Sequence, residues 1–156
     1  FTREDLPGTL PIEALMAAHA RAPDIYLALA HDGRDNAWGL PGTSADNAPY
    51  PAFGGAHGGL SRHELHNVLA IGGARVAGGR GVATPSGNVD ILPTALTLAG
   101  MAVPGGLDGR VLAEAFGDTR VPAPTAHDLV SGRSRLRTIS HGGTRYLHRG
   151  WTEPPS

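Results

Sequence analysis

Apolar positions follow two rhythms along this chain, one helical and one of unbroken short runs, and their alternation sets the first expectation of its architecture. In residues 11–20, Ile12, Leu15, Met16 and His19 stand at i, i+3, i+4 and i+7. Pro11 and Glu13 suit the first turn, so a short amphipathic helix is predicted. Pro23 ends it, and residues 24–30 (DIYLALA) form an almost unbroken apolar run of strand length, the pattern of a strand covered on both faces. Residues 31–61 are rich in Gly, Pro, Asp and Asn and read as one long loop, a kind of segment that in compact domains is functional or disordered. Residues 67–71 (NVLAI), ahead of Gly72-Gly73, repeat the buried-strand pattern.

A second helix is expected over residues 89–99, where Val89, Leu92, Leu96 and Ala99 keep helical spacing. Pro93 is compatible with it only in the first turn, which puts the cap near Asn88 or Asp90, and Gly100 stands where a left-handed residue would close it. A short helix follows over residues 108–116 (DGRVLAEAF), then a Pro-rich linker over 117–124. Residues 135–140 and 144–148 flank His141-Gly142-Gly143 as a terminal β-hairpin. Helices alternating with buried strands predict an α/β fold, and residues 1–156 are read as a single domain.

Composition narrows the function. The 23 Gly and 13 Pro sit among 40% apolar residues and interrupt the hydrophobic segments, which argues for a folded domain with long shaped loops over a low-complexity tract. All 13 basic residues are Arg and the net charge is −1, so no positive field marks a nucleic-acid binder. Without Cys, any metal must be held by His, Asp, Glu or hydroxyl oxygen. No apolar run approaches the roughly 20 residues of a membrane helix, so no membrane partner is expected and the chain reads as soluble. It opens on Phe1 rather than Met, and upstream sequence removed from the chain is the corresponding expectation.

The densest chemistry lies in residues 54–67, GGAHGGLSRHELHN. Imidazole is the commonest neutral metal ligand, and the glycines flanking His57 would let ring and backbone approach an ion closely. His63 and His66 are weaker candidates: a zinc-protease helix needs its histidines at i and i+4, whereas these stand at i and i+3, as in a polar helix turn. His31 and Asp32 follow a run of buried-strand character, where α/β proteins often place functional side chains, and are weaker metal candidates as well. Ser61 and Thr43 lie in Gly-rich loops, but neither occupies a G-x-S-x-G elbow. Asp90 and Asp108 read as helix-terminal carboxylates; His127, Asp128, His141 and His148 default to surface roles.

Three blocks, HGGLSRHELHNVLAIGG, TPSGNVDILPTALTLAGM and LDGRVLAEAF, resemble in order and spacing the C-terminal part of the alkaline-phosphatase superfamily, above all its phosphodiesterase and sulfatase-like branches. Upstream, RAPDIYLAL and GLPGT resemble the segment before the family's metal histidine, and TRYLHRGW resembles its closing hairpin. The resemblance implies a partial alkaline-phosphatase-like sheet with flanking helices and a C-terminal β-hairpin, the end of a larger hydrolase. It also implies a site of two divalent ions, zinc foremost, that activates a nucleophile and stabilises an in-line phosphoryl or sulfuryl transfer. The family's ligand histidine maps onto His57. The family's nucleophile, its first acidic ligand and its Asp-His-Gly block have no counterpart here, so no catalytic residue is assigned.

These readings converge on metal-dependent hydrolysis of a small phosphoester, whether mono-, di- or triester, with a site that is incomplete or is completed in a homo-oligomer whose copies share loops. A sulfuric-ester hydrolase and a noncatalytic interaction module of the same fold are the alternatives. The compartment is left open, although members of the family are often periplasmic or secreted.

Overall fold

The computed structural model describes residues 1–15, 19–35, 38–44, 57–118 and 120–155, and of Asp32, Thr43 and Ser44 the backbone only. Helix and antiparallel sheet are mixed along it. A 3-10 helix at Ile12–Leu15 is followed by β1 (His31–Asp35), β2 (Pro41–Ser44), α1 (Arg62–Leu65) and α2 (Ile91–Leu98). Then come a 3-10 helix at Ala113–Phe116 and the meander β3 (Thr125–Ser131), β4 (Ser134–His141) and β5 (Thr144–Thr152). β1 and β2 form a two-stranded antiparallel ribbon with His31 opposite Ser44 and Asp32 opposite Thr43. The meander is ordered β3-β4-β5, and the tight turns between consecutive strands make it antiparallel. The chain falls into two compact units: residues 1–67, 128–137 and 147–156 form the first, and residues 68–127 and 138–146 the second.

The second helix forms close to where its spacing places it. A 3-10 turn, Asn88–Asp90, leads into α2, Pro93 falls in the first turn of the α-helix, and Gly100 closes it at φ 72°. The terminal hairpin forms too, turning at Gly142-Gly143, but both strands are longer than expected. β3 joins it from a stretch that had no strand assignment.

Elsewhere the structure departs from the pattern. Of the first predicted helix only Ile12–Leu15 is helical, as a 3-10 turn, and Met16 lies outside the described residues. The expected strand at 24–30 has no ladder: Ile25 makes one isolated bridge to Thr2, and Ile25, Leu27 and Leu29 are 62%, 82% and 52% exposed. Residues 67–71 are likewise irregular, with Val68 almost fully exposed. Continuous apolar runs report a demand for burial, and among the described residues neither run has a neighbouring strand to meet it. Residues 31–61 carry the ribbon β1-β2 within the expected loop. Only the last turn of the helix expected at 108–116 forms, as the 3-10 segment at Ala113–Phe116, closed by left-handed Gly117.

The first unit has a small core of Leu10, Ala14, Leu60 and Leu136, against which Phe1, Leu15, Tyr26, Leu65, Leu129 and Leu147 pack. The N-terminal segment is pinned there: the Phe1 amine donates to the Tyr26 carbonyl at 2.8 Å, the Tyr26 amide returns a bond to the Phe1 carbonyl at 2.9 Å, and the two rings meet edge-on at 6.2 Å. Leu136 is completely buried on β4. Leu136→Ala is expected to destabilise the protein by about 2–5 kcal/mol through lost transfer energy and the cavity left behind. Urea unfolding reads this directly, and a loss below about 1 kcal/mol would mean that the surrounding side chains collapse into the space.

Candidate functional site

His57 opens the described part of the Gly-rich block and is exposed. Its ring has no hydrogen-bond or ionic partner among the described residues. The residues after it are tightly constrained. Leu60 is buried in the core and its carbonyl accepts from the Gly150 amide of β5 at 2.7 Å. Ser61, also buried, caps α1 by accepting from the Glu64 amide at 3.2 Å. That bond explains why this serine precedes RHEL and gives the hydroxyl a structural role. A Cβ at Gly59 would overlap the Glu64 carboxylate, so only glycine lets that side chain fold back over the loop. Gly58, Gly59, Leu60, Leu65, Leu147 and Tyr26 help to line an apolar cavity of about 360 Å³. Burial, and after it the charge of Glu64, raises the Tyr26 hydroxyl above its ordinary pKa, so it stays protonated.

The weaker candidates separate. The His63 ring packs over Gly42 of β2, where an added Cβ would stand 2.7 Å from it. His31 begins β1, while the side chains of Asp32 and Thr43 and the residues Gly54-Gly55-Ala56 lie outside what is described. His66 ends α1 and meets His148 of β5: His66 Nε2 is 3.1 Å from His148 Nδ1 and 3.1 Å from the His148 carbonyl oxygen, with ring centroids 4.6 Å apart. Burial, then the charges of His66, Arg137 and Arg149, lower the His148 pKa against the opposing pull of Asp128. The pairing of His66 with His148 joins residues 82 apart, and no local pattern could signal it. Asp128, expected at the surface, forms a two-pronged ion pair with Arg137, with both bonds at 2.7 Å.

The second unit holds a buried polar network. Asp90 is fully buried, and its carboxylate accepts from the Gly87 amide at 2.8 Å, the Arg110 amide at 2.8 Å and the Tyr146 hydroxyl at 2.9 Å. Gly109 makes this possible, since a Cβ there would overlap the backbone of Val89 and Asp90. The Arg110 guanidinium donates to the Tyr146 hydroxyl at 3.1 Å, the Pro85 carbonyl at 2.9 Å and both oxygens of Glu114. The Thr84 hydroxyl completes Glu114 at 2.6 Å. Hydrogen bonding to Arg110 is the largest influence on Glu114 and, against the cost of burial, holds its carboxyl at a pKa of about 2; the same bond raises that of Arg110. His141, expected at the surface, is instead 3% exposed, and neither ring nitrogen has a hydrogen-bond partner among the described residues.

Comparison with protein-family models, curated proteins and solved structures returns no match. Among the described residues no three His, Asp or Glu side chains converge to hold a metal ion, and no helix is long and apolar enough to cross a membrane. A catalytic zinc takes three protein ligands, so the described residues do not by themselves fit the two-metal centre implied by the resemblance.

Two outcomes test the network. Arg110→Ala is expected to cost about 3–5 kcal/mol at neutral pH, because Glu114 is left buried and uncompensated. Pairing it with Glu114→Leu should recover part of that loss, and a double variant no more stable than Arg110→Ala would contradict the ion-pair account. Because the folded-state pKa of Glu114 lies below its ordinary value of 4.5, its contribution is present above that pH and disappears as pH falls towards about 2. Acid unfolding of the wild type should therefore show a limb in that window that is reduced in Glu114→Gln.

Proposed function

We propose that this chain is the C-terminal part of a metal-dependent phosphoester hydrolase of the alkaline-phosphatase superfamily, with a partial sheet of that family's type, flanking helices and a closing hairpin. It supplies His57 to a metal centre, zinc foremost, whose remaining ligands and nucleophile come from residues outside the described set or from a second copy of the chain. The observation that carries this reading is the meeting of separate resembling blocks in one network. Asp90 of TPSGNVDILPT, Arg110 and Glu114 of LDGRVLAEAF, and Tyr146 of TRYLHRGW hydrogen-bond to one another. The block containing His57 uses the same hairpin in the first unit, through Leu60 with Gly150 and His66 with His148. Within each unit the resembling segments are joined by hydrogen bonds, as the proposed common fold requires.

In this reading the apolar cavity lined in part by Gly58 and Gly59 receives the hydrocarbon portion of a small ester, and His57 would be one of the residues holding the metal. The volume is at the lower end of the range of small-molecule sites, about 300–1,000 Å³. The metal, when bound, supplies charge stabilisation at the transferring group. This chain's contribution would be one imidazole, carried next to the glycines that line an apolar cavity. Ser61 is not assigned as the nucleophile, because its hydroxyl caps α1 and the residue is buried. A sulfuric-ester substrate remains the near alternative. The absence of three converging donors among the described residues favours a second reading, a noncatalytic module of the same fold.

Assays of phosphate mono-, di- and triesters and a sulfate ester, on the full natural polypeptide with and without chelator, decide between them. Chelator-sensitive turnover is expected, and His57→Ala should reduce it beyond the about 10- to 100-fold that losing an outer-shell partner costs, with the melting curve unchanged. Turnover indifferent to His57→Ala overturns the assignment, and a folded protein that neither retains metal nor hydrolyses any of these esters establishes the noncatalytic reading.

A further inference from the structure

We infer that His66 and His148 form a two-histidine site for a divalent transition-metal ion, built where the end of α1 meets β5 and independent of the hydrolase reading. His66 Nε2 and His148 Nδ1 stand 3.1 Å apart. Two imidazoles bound to one ion at about 2.0–2.1 Å each, with an angle between right and tetrahedral at the metal, have their nitrogens about 2.9–3.4 Å apart. The pair already stands at that bite. The His148 carbonyl oxygen lies at the same 3.1 Å from His66 Nε2 and offers an oxygen donor at the same place.

In the metal-free protein one proton occupies the space between the two nitrogens, with one ring donating and the other accepting. A cation that replaces this proton is served by both lone pairs at once, and the remaining positions go to water or an external anion. His66 caps α1 and is exposed, so an ion can reach it, while β5 fixes the backbone of its partner. Neutral imidazole selects copper, nickel or zinc over magnesium or calcium, with copper the tightest in the usual order of divalent affinities. Arg137 and Arg149 oppose the incoming charge and Asp128 favours it. Asp128 is engaged with Arg137, so the site is expected to be of modest affinity, weaker than a three-ligand zinc centre.

Nickel is the probe. Titration of metal-free protein with Ni²⁺, followed by calorimetry, is expected to show one equivalent that belongs to this pair, beyond any bound at His57, with no uptake of Mg²⁺ under the same conditions. His66→Gln and His148→Gln should each weaken that equivalent at least tenfold, and it should persist in His57→Ala whatever else that variant loses. In the wild type, nitrogen-15 spectra should show paramagnetic broadening strongest at the rings of His66 and His148, a readout that needs no variant to fold. Absence of Ni²⁺ binding, binding unaffected by both glutamine variants, or broadening centred on other residues each overturns the inference. Nickel binding lost in His57→Ala but kept in the two glutamine variants overturns it while leaving the hydrolase proposal standing.

Discussion

A buried carboxylate with every direction answered organises the second unit. Asp90 is removed from water altogether, and the cost of burying its polar side chain is offset by two backbone amides and the Tyr146 hydroxyl. Each partner comes from a different stretch of chain, so one side chain fixes the approach to α2, the backbone at Arg110 and the first half of β5. Gly109 is small because the two backbones touch there. Arg110 then extends the network to Glu114 and Thr84, which turns a single cap into a connected set of satisfied groups.

Much of this unit was legible locally. α2 was readable because Pro93, Gly100 and the helical spacing of Leu92 and Leu96 all point the same way, and agreement between signals is what makes a segment specify itself. Asp90 was correctly placed at a helix start. Its partners were not readable, since Arg110 lies 20 residues away and Tyr146 lies 56 away. His141 shows the converse, because nothing in HGG announces that its ring will be buried with no hydrogen-bond partner among the described residues.

The apolar runs at residues 24–30, in the first unit, and 67–71, almost wholly in the second, were harder to read for a physical reason. Residues 24–30 and 67–71 have strand composition, but a strand exists only where a neighbour offers its backbone, and hydrophobicity does not specify that neighbour. Ile25, Leu27 and Val68 are accordingly exposed. The ribbon β1-β2 is the opposite case, a ladder formed by polar and Gly-bearing residues with no apolar alternation to reveal it. Of the site itself, the sequence pointed to His57 by its glycines and to Ser61 as a hydroxyl in a loop. Only coordinates could show that the serine is spent on a cap and that His66 finds His148.

The functional account joins a scaffold to one imidazole. The motifs cooperate in holding their segments together, and His57 is exposed, without a bond among the described residues, and next in sequence to Gly58, which lines an apolar cavity. The most direct measurement is an anomalous difference map at the zinc edge from metal-replete crystals of the full natural polypeptide. The expected result is a peak about 2.0–2.1 Å from a ring nitrogen of His57. A well-ordered His57 ring turned to solvent, with zinc in the crystal but none beside it, would contradict the account.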